Sequence, residues 1–443
     1  MSQIDIGTIR TGYDFSANPA LTSPGFAYSG NQYCFVLAGA LPAPIHGSEG
    51  DQKLHAFKST DAGATWAEQD SGGAPVIDHP LGVGPATNPG YCICQDGATV
   101  YIIYVRNHIS SGTPTMDGFA VILYDLGTDT WGSPTDYTAP VIDWFSTPHT
   151  MLCLVLRAPG DMVFYYTGPQ ETGKARVYYA TFDGSTFGTG TELPDQTGDP
   201  SFSYPVGAAV DVSGFTHFFY SQFSSPFNVW HISMDGSGTF GTRELVTDRG
   251  FLSNSVGTFS APIVFSTGGH EYIALAGMCE GTGHEEFRML YAQTAGIGVA
   301  TWHTTLIGSG DYGDLTVIPP TIPWMETATY QGVMASVAFL SGKLTVTWTW
   351  SNSGFGGNDN GTFYWQSQTF PAGSWSTPTA VIDSSLSVMA AQAAQVATWP
   401  IGSNIGVLAA SVTQESIEVL QFNSFSPGGV SPSTGNKTRT YYQ

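Results

Sequence analysis

Ser59-Thr60-Asp61-Ala62-Gly63-Ala64-Thr65-Trp66 is the stretch of this chain that reads most clearly. The Asp accepts backbone N–H groups within its own turn, the Gly takes a positive φ without strain, and Ser and Thr add hydroxyl bonds. Trp66 then follows at the point where a new strand begins, placed to bury a large face against a neighbouring sheet. The octet therefore predicts a tight β-turn between two strands, followed by an aromatic anchor.

The same text returns along the chain. Aligned on the bulky aromatic after each turn, the anchors are Trp66, Trp131, Phe187, Phe240, Trp302, Trp375 and, more weakly, Phe425. The strings before them echo one another: Phe57-Lys58-Ser59-Thr60-Asp61, Leu123-Tyr124-Asp125-Leu126-Gly127, Ala180-Thr181-Phe182-Asp183-Gly184 and Ile232-Ser233-Met234-Asp235-Gly236. A downstream echo appears at Pro75-Val76-Ile77-Asp78, Pro140-Val141-Ile142-Asp143 and Ala380-Val381-Ile382-Asp383. Upstream of each anchor lie two more strand-like runs around a turn, as at residues 205–210, Ser213-Gly214 and 215–221. Residues 332–340 and 343–350, and 151–157 and 162–167, repeat that plan. First strands rich in small residues (Gly207, Ala208, Ala209; Ala393, Ala394, Ala397) suit the crowded centre of a radial array.

A four-stranded unit repeated every 50–70 residues or so, with its turn and aromatic, predicts an all-β fold: a single β-propeller. The count is seven four-stranded blades, with six as the fallback. Approximate blade limits are 10–80, 81–145, 146–197, 198–250, 251–310, 311–385 and 386–443. One blade alone buries neither face, so the ring must close. Either the N-terminal segment near residues 4–9 or the C-terminal residues 437–443 completes the last blade.

The octet matches in full the pattern of the Asp-box, or BNR repeat, and so resembles the sialidase-like superfamily. Ser233-Met234-Asp235-Gly236-Ser237-Gly238-Thr239-Phe240 is a degenerate copy, and the turns at Asp125 and Asp183 are weaker ones. The resemblance implies that these turns join third to fourth strands on the face away from any ligand, and that Asp61 and Asp235 are structural. It also brings an expectation of chemistry, since sialidases grip a carboxylate with three arginines and use a Tyr–Glu nucleophile pair and an Asp acid/base. Arginine suits the grip because its planar fork binds carboxylates bidentately. The family's Arg-Ile-Pro segment is absent here; Ile9-Arg10-Thr11 is the nearest string. Of the remaining arginines, Arg106 and Arg249 fall on expected ligand-face loops, and Arg176 and Arg288 at the starts of third strands.

Bulk properties narrow the function classes. Thirteen Lys+Arg against 35 Asp+Glu give a net charge of −22, which forms no basic stripe for nucleic acid or anionic membranes. No run of 18 apolar residues occurs, so membrane insertion by a helix is not expected. The start Met1-Ser2-Gln3-Ile4-Asp5 has no signal-peptide character. Five cysteines, Cys34, Cys92, Cys94, Cys153 and Cys279, sit in apolar strand-like runs, as buried free thiols do after folding in a reducing cytoplasm. No zinc spacing is present, so no metal site is assigned.

A propeller gathers its second-to-third and blade-to-blade connections on one face. Here these are residues 39–52, 107–117, 168–174, 279–286, 308–326 and 351–361, with Asp78, His79, Asp143, Trp144, Asp195, Asp199, Tyr204, Arg249 and Phe251 between blades. Trp144, Tyr204, Tyr312 and Trp324, with Arg249, form the candidate ligand-binding set: aromatics that stack on pyranose faces beside polar partners. Asp143, Asp195 and Asp199, with Arg249, are the candidates if the protein hydrolyses glycosides, since that reaction takes paired carboxylates. No cofactor is called for; calcium is the one ion the loop chemistry accommodates, through residues 281–286 and Asn358-Asp359-Asn360. The leading expectation is a non-catalytic propeller that binds a glycan or protein partner, within a larger assembly such as a phage or virus particle. An exo-acting sialidase-like hydrolase and a structural assembly hub are the alternatives.

Overall fold

A computed structural model describes residues 4–10, 21–22, 25–39, 52–69, 76–77, 91–110, 113–137, 152–171, 174–194, 196, 202–223, 227–250, 259–280, 284–311, 333–350, 359–388, 395–412 and 418–427. Among them there is no helix. Seven antiparallel blades follow one another, the first six with their strands in chain order from first to fourth.

The first blade pairs Leu21–Thr22 and Phe26–Tyr28 with Asn31–Gly39, which pairs with Gln52–Ser59, edged by Ala67–Glu68 and Val76–Ile77. The second runs Tyr91–Asp96, Thr99–Ser110, Thr113–Asp125, then Thr130–Trp131 and Thr135–Tyr137. The third is Leu152–Ala158, Asp161–Glu171, Lys174–Phe182, Thr191–Glu192. The fourth is Phe202–Val210, Thr216–Phe223, Phe227–Met234, Glu244–Gly250. The fifth is Ile263–Thr267, His270–Glu280, His284–Gln293, His303–Asp311, and the sixth Val333–Leu340, Lys343–Trp350, Asp359–Thr369, Thr379–Val388. The seventh is Gln395–Ile401, Asn404–Val412 and Glu418–Phe425, with Ile4–Arg10 as its fourth strand.

That last pairing settles how the ring closes. Ile4 lies opposite Phe422 and Arg10 opposite Glu418, so the N-terminal strand completes the final blade. Arg10 thus belongs to the seventh sheet rather than the first. Residues 437–443 lie outside the described residues.

The core is divided among the seams. Seven buried clusters each join two successive blades; the last brings Cys34, Val36 and Phe57 of the first blade against Trp399, Leu408 and Phe422 of the seventh. The anchors explain the arrangement, because each reaches back onto the blade before it. Trp66 packs on Trp399 and Phe422, Trp131 on Phe35, Phe187 on Tyr137, Phe240 on Tyr179 and Trp302 on Phe219. The Trp375 indole N–H donates to Thr305 Oγ1 of the fifth blade at 3.4 Å. Burying a Phe-sized side chain contributes about 1.5–3 kcal/mol, so the anchors matter to every seam.

Phe425 differs from the expectation. It is the last residue of a third strand, opposite Ile405, not the residue after a turn. The seventh blade's fourth strand comes from the other end of the chain, so no turn-and-anchor text stands before it. Phe425 still packs backward, stacked on Trp365 at 4.3 Å. The crowding expected at first strands holds at Gly207, where a Cβ would lie 2.6 Å from Pro262 of the next blade.

Candidate functional site

Two kinds of turn share one face of the ring, those joining first to second and third to fourth strands, and they are held by their own side chains. Asp61 Oδ1 accepts the Thr65 N–H and the Ser59 hydroxyl, both at 2.8 Å, while Oδ2 accepts the Thr65 hydroxyl at 2.6 Å. Asp235 Oδ1 accepts from the Ser237 N–H and hydroxyl and from the Thr239 N–H. Asp183 Oδ1 repeats this with Ser185 and Thr186, and Asp125 Oδ1 with the N–H groups of Gly127 and Thr128. The Thr65 bonds hold the Asp61 carboxyl below the usual range, and the Ser185 and Ser237 bonds do the same for Asp183 and Asp235. These four aspartates are therefore engaged within their turns.

Neighbouring blades are also tied here. Gln95 Nε2 donates to Ala27 O at 3.2 Å, Asp96 Oδ2 accepts the Gly160 N–H at 2.8 Å, and Arg157 Nη1 donates to Asp235 O at 3.1 Å. This face is a brace.

The opposite face carries the second-to-third and blade-to-blade connections, where the sequence placed its candidates. Asp143, Trp144, Asp195, Asp199, Tyr312 and Trp324 lie outside the described residues. Tyr204 and Arg249 are placed by their backbone, and both differ from the expectation of loops. Tyr204 is in the first strand of the fourth blade, opposite Ser221, and Arg249 is in the fourth strand of the same blade. They share one end of one sheet but stand at its inner and outer edges, three strand spacings or ~14 Å apart.

Three further loop expectations are corrected. Arg106 and His108 lie in a strand, because the hairpin of the second blade keeps its ladder out to Ser110 opposite Thr113. Glu285 and Glu286 lie in the third strand of the fifth blade, and Asp359 and Asn360 in that of the sixth. Among the described residues, no group of three His, Cys, Asp or Glu is arranged to hold a metal ion.

Charged side chains at the base of this face are matched within their blades. Glu286 Oε2 takes both Nε and Nη2 of Arg288 at 2.5 Å, and Arg288 Nη1 donates to Thr304 Oγ1 at 3.1 Å. Arg176, buried, has Nε 3.8 Å from Glu192 Oε1. Arg243 covers the Trp230 ring at 4.0 Å, and the Trp230 indole N–H donates to buried Gln222 at 2.8 Å. Sequence reasoning missed Gln196. Its amide accepts the Val177 N–H at 3.0 Å and donates to Val177 O at 2.9 Å and to Leu193 O at 3.1 Å. A side chain there imitates a paired strand, and fastens Gln196 to the third strand of the third blade. Nothing in the linear text marks such a residue, since Gln196 follows a Pro-Asp pair like any loop amide.

No family model matches the chain, and no curated protein matches it. Among solved structures it is similar to the K499G mutant of NanB sialidase from Streptococcus pneumoniae: 12% identity and TM-score 0.47, covering 95% of this chain and 70% of that one. It is also similar to Trypanosoma rangeli sialidase in complex with sialic acid, at 11% identity and TM-score 0.42; the chain spans 58% of that protein's length. A third likeness, at 12% identity and TM-score 0.39, is to the SapL1 lectin in complex with α-methyl fucoside, covering 75% of this chain and 97% of that one.

Proposed function

We propose that this protein is a non-catalytic binding propeller whose loop-bearing face holds a glycan. The observation that carries the reading is the division of labour between its faces. One face consists of short turns fastened by their own aspartates and to adjacent blades. The other end of the blades takes the second-to-third and blade-to-blade connections, the segments to which the sequence assigns Trp144, Tyr312 and Trp324 beside acids and amides. Exposed aromatics beside polar groups are suited to sugar rings.

The arginines at the base of that face favour binding over hydrolysis. Arg288 is held bidentately by Glu286 and Arg176 faces Glu192, so two of the candidates for a carboxylate grip already have carboxylates. A net charge of −22 and five free thiols are compatible with folding in a reducing cytoplasm and with service on a phage or virus particle. In that setting the glycan is a surface receptor, and a protein partner is the alternative occupant.

A glycan-array screen of the purified chain, with and without calcium and with product analysis of each bound glycan, tests the reading. Binding without cleavage that is lost in Trp144→Ala or Trp324→Ala is the expected result. Cleavage overturns it and directs attention to Asp143, Asp195 and Asp199. Silence on every glycan also overturns it in favour of a protein partner.

A further inference from the structure

Four side chains of the fourth blade form a line across its sheet. Asp211 Oδ2 lies 3.4 Å from His217 Nε2, His217 Nδ1 lies 3.0 Å from His231 Nε2, and His231 Nδ1 lies 3.1 Å from Glu244 Oε2. Both imidazoles are fully buried and nearly coplanar, with 16° between their planes.

The line fixes its own proton count. Ionised carboxylates only accept, so each end of the line needs an N–H, and the central contact holds a single hydrogen between two nitrogens. Three contacts therefore take three hydrogens spread over four nitrogens: two rings and one positive charge. With two hydrogens, one contact sets lone pair against lone pair. With four, an N–H meets an N–H at the 3.0 Å contact.

We propose that His217 and His231 share one proton, and that entry of a second opens the seam between the fourth and fifth blades, making this line an acid-sensitive latch. Both ends of the line sit against the fifth blade. Beside Asp211, the Val212 N–H donates to Glu271 of that blade at 3.0 Å. A Cβ on Gly298 would lie 3.4 Å from Glu244 Oε1, and the adjacent Ile297 carbonyl accepts the Ser233 hydroxyl at 2.7 Å. Moving either carboxylate disturbs a contact between the blades.

Among the described residues, few charged groups surround the pair. Asp211 and Glu244 come from its own sheet, and Glu271 from the second strand of the fifth blade; the turn of that blade at residues 294–300 carries no charge. Phe219 and Trp302 close the remaining sides, and Arg243 lies on the opposite face of the sheet, over Trp230. Burial depresses the protonation of both rings, and each is buried beside the other. A pair that holds one shared proton and resists a second binds fewer protons than the two it would carry unfolded once pH falls below the unfolded value of about 6.5, so stability at this seam declines toward acid.

The test combines two readouts on the intact protein. Selective ¹⁵N labelling of histidine follows the imidazole nitrogens from pH 7.5 to 3.5. Hydrogen exchange, corrected for intrinsic rate, follows residues 216–234 and 284–300 against the first and second blades. The expected result is one proton taken up by the pair with the seam intact, then a loss of seam protection of tenfold or more while the first two blades stay protected. His217→Gln is the informative variant: its amide donates to Asp211 and accepts from His231, so a fully protonated His231 fits and the seam stays closed at the pH that opens the native protein. Two independent single-proton titrations with an unchanged seam overturn the proposal, as does simultaneous loss of protection in all blades. Opening of His217→Gln over the native pH range does the same. Should that variant not fold, the native titration alone decides.

Discussion

Lys58 in the first blade reaches across a seam to Asp129 in the second, with Nζ 2.6 Å from Oδ2. Both side chains are about four-fifths buried, and Asp129 Oδ1 also accepts the Tyr33 hydroxyl at 3.0 Å. The hydrogen bond to Asp129 raises the Lys58 pKa above its usual value. Stabilisation from this pair is therefore complete below the unfolded lysine value of about 10.4 and is lost as pH rises through the folded one. A double-mutant cycle of Lys58→Met and Asp129→Asn should give a coupling of about 1–2 kcal/mol in denaturant unfolding at pH 7. Asn is the right replacement because Asp129 has a φ of 56°, a conformation Asn tolerates. A coupling near zero would show the pair to be an exposed contact of no consequence.

The turn aspartates should act in the opposite pH direction. Hydrogen bonds within the turns lower the pKa of Asp61, Asp183 and Asp235, so their stabilisation is present above the unfolded value of about 3.9 and disappears as pH falls through the folded values. Asp61 and Asp183 are exposed and Asp235 is only partly covered, so solvent screening keeps each effect small. Asp61→Ala should lower the melting temperature by roughly 1–3 °C at pH 7, with the gap to the native protein narrowing toward pH 3. A gap that stays constant with pH would mean the lost carboxylate was not the cause.

The fold was legible because its rule is local. Asp61, Gly63 and Trp66 state a turn and an anchor within eight residues, and the anchor needs only a neighbouring sheet to pack on. The closing strand was half legible: residues 4–9 read as a strand, but nothing local says that Ile4 pairs with Phe422 across the length of the chain. The site was least legible. Arg249 and Tyr204 looked like loop residues because polar text near a blade end does not reveal how far a ladder extends. The His217–His231 line escaped notice because its members are separated by Ser213-Gly214 and a whole strand, and only the register that sets Phe219 opposite His231 brings the two rings together.

The thiols should be silent in the native state. Cys34, Cys92, Cys94 and Cys279 are buried and Cys153 half-buried, and all five are free. Burial pushes Cys94, Cys153 and Cys279 up to about 12, and Cys34 and Cys92 upward as well. The thiolate is the reactive form, so an aromatic disulfide reagent at pH 8 should label no thiol within minutes and all five after denaturation. Rapid labelling of any one in the folded protein would place it in a different environment.

Ring closure is the feature whose loss should be most damaging. The seventh blade is assembled from both ends of the chain, and Phe422 stands at the join: it lies opposite Ile4, packs on Trp66 and Trp399, and meets Gly63. Gly63 has a φ of +88° and a Cβ there would lie 2.9 Å from the Phe422 ring, so two independent effects oppose any side chain. Gly63→Ala should destabilise the protein by about 2–3 kcal/mol. Thr8→Pro, opposite Val419, removes a backbone donor from the closing strand. If that strand is what holds the ring shut, Thr8→Pro should leave Glu418–Phe425 as an open edge, which invites pairing with other chains. Size-exclusion chromatography should then show oligomers, and hydrogen exchange should rise first in residues 418–425 and next along the seam to the first blade. A monomeric Thr8→Pro protein with native protection at 418–425 would show that the blade stands without its N-terminal strand.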